Sequence, residues 1–263
     1  MVTKIFPFVE GRFVGAILFL VIAGIAIYYM YSKKQVPIRR VPSLDAIDEG
    51  IGRAAETGKP VIDSIGICSG GMDYWTVAAM SILSYTARKC VEIGVPLYVP
   101  LGGHDNSYTP MEVARDIVKT EYDLAGKSEE FKLENMPFLS GRQFSWASGY
   151  VGMLMRLRPA ANIMLGDNLA SAMWMSEIGH QIGAIQISGA TYISNIAVLA
   201  VSSDYIAIGE DMLAAGAYLS REPSQIASIR TEDIVKIAAI IVVVGGALLL
   251  SFGSNIVQTI LSI

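Results

Sequence analysis

The chain has 263 residues, of which 52% are hydrophobic, and a formal net charge of −4 at pH 7. This apolar fraction is above that of an ordinary soluble domain, so the composition excludes a purely water-soluble protein. Of the 20 basic and 24 acidic side chains, two basic and one acidic precede residue 33, so residues 33–236 hold 18 and 23. An acidic domain of this kind argues against nucleic acid as a partner.

Two long uncharged runs account for the excess of apolar residues. Residues 13–32 form a run of 20 and residues 237–263 a run of 27, and about 20 residues suffice to cross a bilayer. We expect two transmembrane helices here, the second with an interfacial end, and an outer tail at residues 1–12. A cleaved signal peptide would have a shorter apolar core and a small-residue cleavage site, neither of which is present at the first run.

The charges beside these runs predict an orientation in the inner cell membrane. Lys33, Lys34, Arg39 and Arg40 follow the first run, within a basic link at residues 33–43. Because basic residues stay on the cytoplasmic side, both termini are expected outside and the main domain in the cytoplasm. The two cysteines have neither the number nor the spacing of a disulfide framework or a metal site.

The segment between the two runs alternates apolar strand patterns with helical patterns. In chain order we expect a helix from 43 to 56, a strand from 61 to 68, a helix from 73 to 93, a strand from 96 to 101, and helices from 109 to 125 and from 141 to 157. Three strand–helix units then begin near residues 161, 184 and 204. Apolar strands joined by helices predict a single Rossmann-like α/β domain with a mostly parallel sheet, covering residues 44–220, before a linker at 221–236.

Ligands of such sheets bind beyond the carboxyl ends of the strands. The residues expected at that edge form the candidate pocket: Cys68, Ser69, Gly70, Gly71, Asp73, His104, Asp105, Asn106, Asp167, Asn168, Ser188 and Glu210.

The run from Ser69 to Asp73 follows a strand and opens a helix, where backbone N–H groups can hold a phosphate. It resembles the pyrophosphate loop of ATP-pyrophosphatase enzymes, Ser-Gly-Gly-x-Asp-Ser, although Tyr74 replaces the final serine. A tight strand-to-helix turn requires small residues in any case, so this motif alone does not decide for nucleotide chemistry.

A thiol enzyme is the other catalytic alternative. Cys68 lies in a Gly-x-Cys-x-Gly pattern like that of a nucleophile elbow, and His104 could act as its base. A buried structural cysteine is the commoner case. His180 fits a favourable position near a helix C-terminus, and the scattered carboxylates predict neither a metal site nor a cofactor. Methionines 153, 155, 173 and 175 are interpreted as core filling.

Four runs carry a family resemblance: residues 172–179, 183–190, 204–211 and 214–220, supported by Ser140-Gly141 with Phe144 and by residues 158–162. Together they resemble an uncharacterised prokaryotic family of membrane-anchored α/β proteins. The resemblance implies the fold and the anchoring, and it implies no activity.

The sequence therefore predicts a membrane-anchored cytosolic α/β scaffold or ligand-binding module without assigned catalysis. Its expected partners are the lipid bilayer, further copies of the same chain, and other membrane proteins. The alternative is a small-molecule enzyme that uses nucleotide or thiol chemistry at the loops 68–73 and 102–106.

Overall fold

The computed structural model describes residues 13–32 and 41–253. These form two compact units, one built from an N-terminal and a C-terminal helix and the other from residues 41–221. The predictions for the tail at residues 1–12, most of the basic link and the interfacial end of the second apolar run lie outside the described residues.

The first unit is a pair of packed helices, α1 (Phe13–Tyr31) and α9 (Pro223–Ser251). Among the described residues α9 alone is long and apolar enough to cross a membrane, with a mean hydropathy of 2.6 in its most apolar 18 residues. The apolar part of α1 covers Gly15–Tyr31, about 25 Å of helix against a hydrocarbon core of about 30 Å. Among the described residues there is thus one clear candidate for a membrane span, where two were predicted. Helix α9 also includes most of the segment expected as a linker.

The second unit contains seven strands and seven further α-helices within the described residues. The strands are β1 (Val61–Asp63), β2 (Leu97–Tyr98), β3 (Leu101–Gly102), β4 (Phe138–Ser140), β5 (Ala161–Met164), β6 (Ile185–Ala190) and β7 (Tyr205–Ile208). The helices are α2 (Pro42–Thr57), α3 (Tyr74–Ile93), α4 (Tyr108–Leu124), α5 (Gln143–Leu157), α6 (Ala172–Gln181), α7 (Ile193–Ser202) and α8 (Glu210–Ser220).

Five strands form one sheet in the order β2-β1-β5-β6-β7, and every pair in it is parallel. Numbered along this sheet alone, the order is 2-1-3-4-5, a known doubly wound arrangement. The prediction of an α/β fold with a parallel sheet is confirmed. The chain runs outward from β1 in one direction and from β5 in the other, so the topological switch point lies between these two neighbours.

Alternating side chains divide the sheet into two faces. Ala161 and Ile187 face α2, where Gly50 comes so close that an added Cβ would lie 2.7 Å from the Ala161 Cβ. Asn162 points the other way, toward α5, and accepts a hydrogen bond of 2.7 Å from the hydroxyl of Tyr150. Helices therefore cover both faces, as the buried strands require.

The core under α5 is built around two aromatic side chains. Trp146 and Tyr150 are fully buried and meet edge to face with ring centroids 5.5 Å apart. The polar group of each ring has a hydrogen-bond partner. The Trp146 indole N–H donates to the Pro100 carbonyl, and the Tyr150 hydroxyl donates to Asn162, whose amide N–H in turn donates to Gln186 Oε1 at 2.7 Å. These bonds lock the faces of β5 and β6 to α5.

The first two predicted strands are shorter than expected, for local reasons. β1 ends at Asp63, and Gly66 with φ +83° turns the chain away from regular pairing. Beyond Tyr98 the chain changes partners, because Val99 N–H donates to Asn135 O and Leu101 N–H to Pro137 O. The result is a second, two-stranded parallel sheet of β3 and β4, which the sequence pattern did not reveal.

Candidate functional site

The candidate site lies at the switch point, where the loops after β1 and β5 leave the sheet side by side. Gly66 and Asp167 still pair as an isolated parallel bridge, and Ile67 N–H donates to Asp167 O at 2.8 Å. Neither Gly66 nor Gly166 has room for a side chain, since an added Cβ would overlap the backbone of the opposite loop. The two loops are thus fixed against each other.

Ser69 and Asp167 form the centre of this site. The Ser69 N–H donates to Asp167 Oδ2 at 3.1 Å, and the Ser69 hydroxyl donates to the same oxygen. Asp167 is fully buried, and its other oxygen, Oδ1, has no hydrogen-bond partner within the described residues. A buried carboxylate with one unsatisfied oxygen is costly, which marks the position as more than a turn.

The loop after β3 joins the site through Asn106, as expected from its position. The Asn106 side-chain amide donates to the Ser69 carbonyl at 2.8 Å, and its backbone N–H donates to Nδ1 of His104. His104, Asp105 and Asn106 are all exposed. Of this loop, Asn106 thus contacts the loop after β1, while the His104 side chain caps its own short turn.

Asp73 occupies the N-terminus of α3, the place where a phosphate would be held. Its Oδ1 accepts from the Thr76 N–H at 2.9 Å, and its carboxylate lies over Gly70, where an added Cβ would overlap it. The helix end is thus already capped by the chain's own anion. This geometry gives no support to the nucleotide interpretation of the loop.

Cys68 is held in a left-handed conformation with φ +51°, as a strained turn would require, but its side chain points inward. The thiol is completely covered and lies 3.7 Å from the Ile65 carbonyl oxygen. Burial raises the pKa of the Cys68 thiol to about 12, with smaller contributions from Asp167 and Asp73. A thiol so rarely ionised at neutral pH gives no support to the thiol-enzyme alternative.

The remaining predicted residues are placed differently. Asn168 lies beside Asp167 and donates from its amide to the Met164 and Gly166 carbonyls, while its own Oδ1 is buried without a partner among the described residues. Ser188 lies inside β6 and accepts from Ser203. Glu210 begins α8 at the end of β7, two strands from β5 and so about 10 Å away across the sheet.

Tyr192 belongs to the site and was not predicted. Strand β6 continues to Ala190, so the residues beyond its end are Thr191 and Tyr192 rather than Ser188. Partial burial raises the pKa of the Tyr192 phenol, and the charge of Asp167 raises it further against a smaller effect of Ser69. If the predicted strand at β6 had been extended by one residue, to Ala190, the sequence would have placed Tyr192 at the edge of the sheet.

A second surface feature lies on the outer side of α5, α6 and α7. A groove of about 790 Å³ runs between these helices. It is lined by Ser148, Val151, Met173, Trp174, Glu177, Ile178, Ala197, Val198, Val201 and Ser202. Phe144 lies beside Trp174 with ring centroids 5.4 Å apart, and Val201 is 87% exposed.

The methionine prediction is half correct. Met153 and Met175 are buried in the core, but Met155 and Met173 are 60% and 48% exposed. Met173 lines the groove, so this part of the apolar content belongs to the surface.

A family model described as Domain of unknown function (DUF6754) matches residues 5–261 of the chain. The chain matches no curated protein and no solved structure.

Proposed function

The chain belongs to the family Domain of unknown function (DUF6754), and from that premise we propose that it is a membrane-anchored module that assembles with copies of itself. The observation that carries the proposal is the groove between α5, α6 and α7, which exposes aromatic and aliphatic side chains to solvent. We refer to it below as the α5–α7 groove.

The polar side chains of the α5–α7 groove favour a protein partner over a small polar ligand. Ser148 donates to Phe144 O, and Gln181 donates to Glu177. The Ser202 hydroxyl donates to Val198 O and lies 2.7 Å from the Ser176 hydroxyl, with which it shares a second hydrogen bond. The side chains of Ser148, Glu177 and Ser202 thus each have a partner on their own or the neighbouring helix. A small-molecule pocket normally offers free polar groups that orient its ligand, whereas an interface needs shape and apolar area.

The proposed occupant is a second copy of the chain. Trp174 with Phe144 supplies the aromatic anchor that carries much of the energy in protein interfaces. Anchoring by α9 would confine all copies to one membrane, which raises their effective concentration relative to one another. Even a modest affinity between grooves would then give an assembly.

Changing Val201 to Glu tests the assembly. A carboxylate placed in an apolar interface loses its hydration without gaining a partner, so we expect an association about 100-fold weaker or more. The measurement is light scattering of the full chain in mild detergent across a range of concentrations, against a monomer mass of 28.3 kDa.

The matched control is Leu124→Glu, because Leu124 is 76% exposed on α4 and lies outside the groove. We expect Leu124→Glu to keep the mass of the unchanged chain and Val201→Glu to reduce it. A monomer at every concentration, or an unchanged mass for Val201→Glu, contradicts the proposal.

The orientation proposed for the membrane-anchored chain keeps residues 41–221 in the cytoplasm, because of Lys33, Lys34, Arg39 and Arg40. On intact cells, a membrane-impermeant thiol reagent should label a Val2→Cys variant and should label Glu129→Cys only after lysis. Glu129 is exposed, and the native Cys68 and Cys90 are both buried, so they add little background. Labelling with the opposite pattern would reverse the topology.

A further inference from the structure

The surroundings of Asp167 carry an inference that does not depend on assembly. Five side chains are grouped at the switch point: Ser69, Asp73 and Tyr74 from the loop after β1 and the start of α3, Asp167 after β5, and Tyr192 after β6. Ser69 contacts Asp167, and the other four side chains all influence the pKa of Tyr192. We call this set the switch-point cluster. Asp167 is its buried member, with Oδ2 satisfied by Ser69 and Oδ1 left without a partner among the described residues.

The charges at the switch-point cluster are all negative. The carboxylates of Asp167 and Asp73 both raise the pKa of the Cys68 thiol and the pKa of the Tyr192 phenol. In the part of the chain that the structure describes, no basic side chain is among the groups that shift these two pKa values. The carboxylates that the described residues place here would repel an anionic ligand such as phosphate.

The rim of the switch-point cluster is aromatic. Tyr74 is 63% exposed and packs against Trp75 with ring centroids 4.8 Å apart, and Tyr192 is 40% exposed. Aromatic faces beside a carboxylate attract a cation, and they suit an organic ammonium ion better than a hydrated metal ion. No group of three His, Cys, Asp or Glu side chains is placed to hold a metal ion within the described residues.

We propose that the switch-point cluster binds a small organic ammonium ion, with Asp167 Oδ1 as the acceptor at its floor and Tyr74 and Tyr192 at its rim. Because Oδ1 is covered, the side chains over it have to move aside when the ammonium enters. The N–H groups of a primary amine then satisfy Oδ1, and the rings contact its alkyl carbons. Occupancy thus gives a partner to Asp167 Oδ1, which has none among the described residues.

The test uses the full chain in mild detergent and follows its thermal unfolding midpoint with ethylammonium chloride as the probe. Sodium chloride, magnesium chloride and sodium phosphate at matched ionic strength are the comparisons. We expect ethylammonium to raise the midpoint by more than the three salts do, saturably. Asp167→Asn should abolish this increase, and Asp116→Asn, an exposed carboxylate on α4, should retain it.

A second variant covers the case in which Asp167→Asn fails to fold. Tyr192→Ser removes a half-exposed ring at the surface and should weaken ethylammonium binding about 3- to 30-fold by titration. The proposal is overturned if ethylammonium shifts the midpoint no more than sodium does, if phosphate or magnesium produces the larger shift, or if Tyr192→Ser and Asp167→Asn bind as the unchanged chain does.

Discussion

Asp63→Asn is expected to make the folded chain more stable at pH 8 and to remove most of the pH dependence between pH 5 and pH 8. Asp63 lies on β1 with its side chain buried against α3, where Thr86 is its hydrogen-bonding neighbour. Burial raises the pKa of its carboxyl from 3.8 to about 7. The folded state therefore favours the protonated acid.

The sign follows from the direction of this shift. The stabilisation from Asp63 is fully present below its pKa in the unfolded chain and is lost as the pH rises through the pKa of the folded state. Between pH 5 and pH 8 the loss is about 2–3 kcal/mol. An asparagine is neutral throughout, although its amide replaces Oδ2, which has no hydrogen-bond partner among the described residues, at a cost of about 1 kcal/mol. At pH 8 the whole loss since the unfolded pKa counts, which is about 4 kcal/mol for a shift from 3.8 to about 7, so the net gain is about 3 kcal/mol.

Urea unfolding of the full chain in detergent at pH 5, 6.5 and 8 measures this effect. The matched control is Asp123→Asn, which removes an exposed carboxylate on α4 and should keep the pH dependence of the unchanged chain. If Asp63→Asn retains the same slope of unfolding free energy against pH, Asp63 is ionised in the folded state and the argument is wrong.

The order of the elements could be read from the sequence because the pattern of the strands is strong. The runs at β5, β6 and β7 are apolar and lie between helical periods, and burial on both faces requires that composition. The same reading placed Ser69 and Asp167 at the same edge of the sheet. Their pairing could not be predicted, because it depends on the close approach of Gly66 and Gly166, and a glycine in the sequence does not show which backbone lies opposite.

Other features escaped the sequence because tertiary contacts decide them. β3 pairs with β4 across an insertion of 35 residues between Gly102 and Phe138, and neither strand is long enough to show alternation. Met155 and Met173 have the same local sequence pattern as Met153 and Met175. Only the packing of α5 against α6 determines that the first two side chains are exposed and the last two are buried. Met173, which lines the α5–α7 groove, was therefore interpreted as core filling.

Among the substitutions considered, a side chain at Gly166 is expected to lower the unfolding free energy the most, because the close contact of Gly166 with the backbone of Ile65 and Gly66 holds the switch point together. Gly166→Ala would place a methyl group against the Ile65 carbonyl and 2.7 Å from the Gly66 nitrogen. Backbone atoms of two packed loops cannot move aside as a flexible side chain can, so the strands must separate. We expect a loss of about 3–5 kcal/mol of unfolding free energy, in the range of the most damaging substitutions.

Gly52→Ala is the matched control for Gly166→Ala. Gly52 lies within α2, and an added Cβ there meets nothing within 4 Å, so the alanine should stabilise the helix by about 0.5–1 kcal/mol. If the loops are as close as described, urea unfolding should show a lower unfolding free energy for Gly166→Ala and a higher one for Gly52→Ala than for the unchanged chain. Should Gly166→Ala unfold at the same urea concentration as the unchanged chain, the loops would have to lie further apart. The Ser69–Asp167 hydrogen bonds would then lose the backbone contact that holds them, and ethylammonium binding at the switch-point cluster should be absent from the unchanged chain as well.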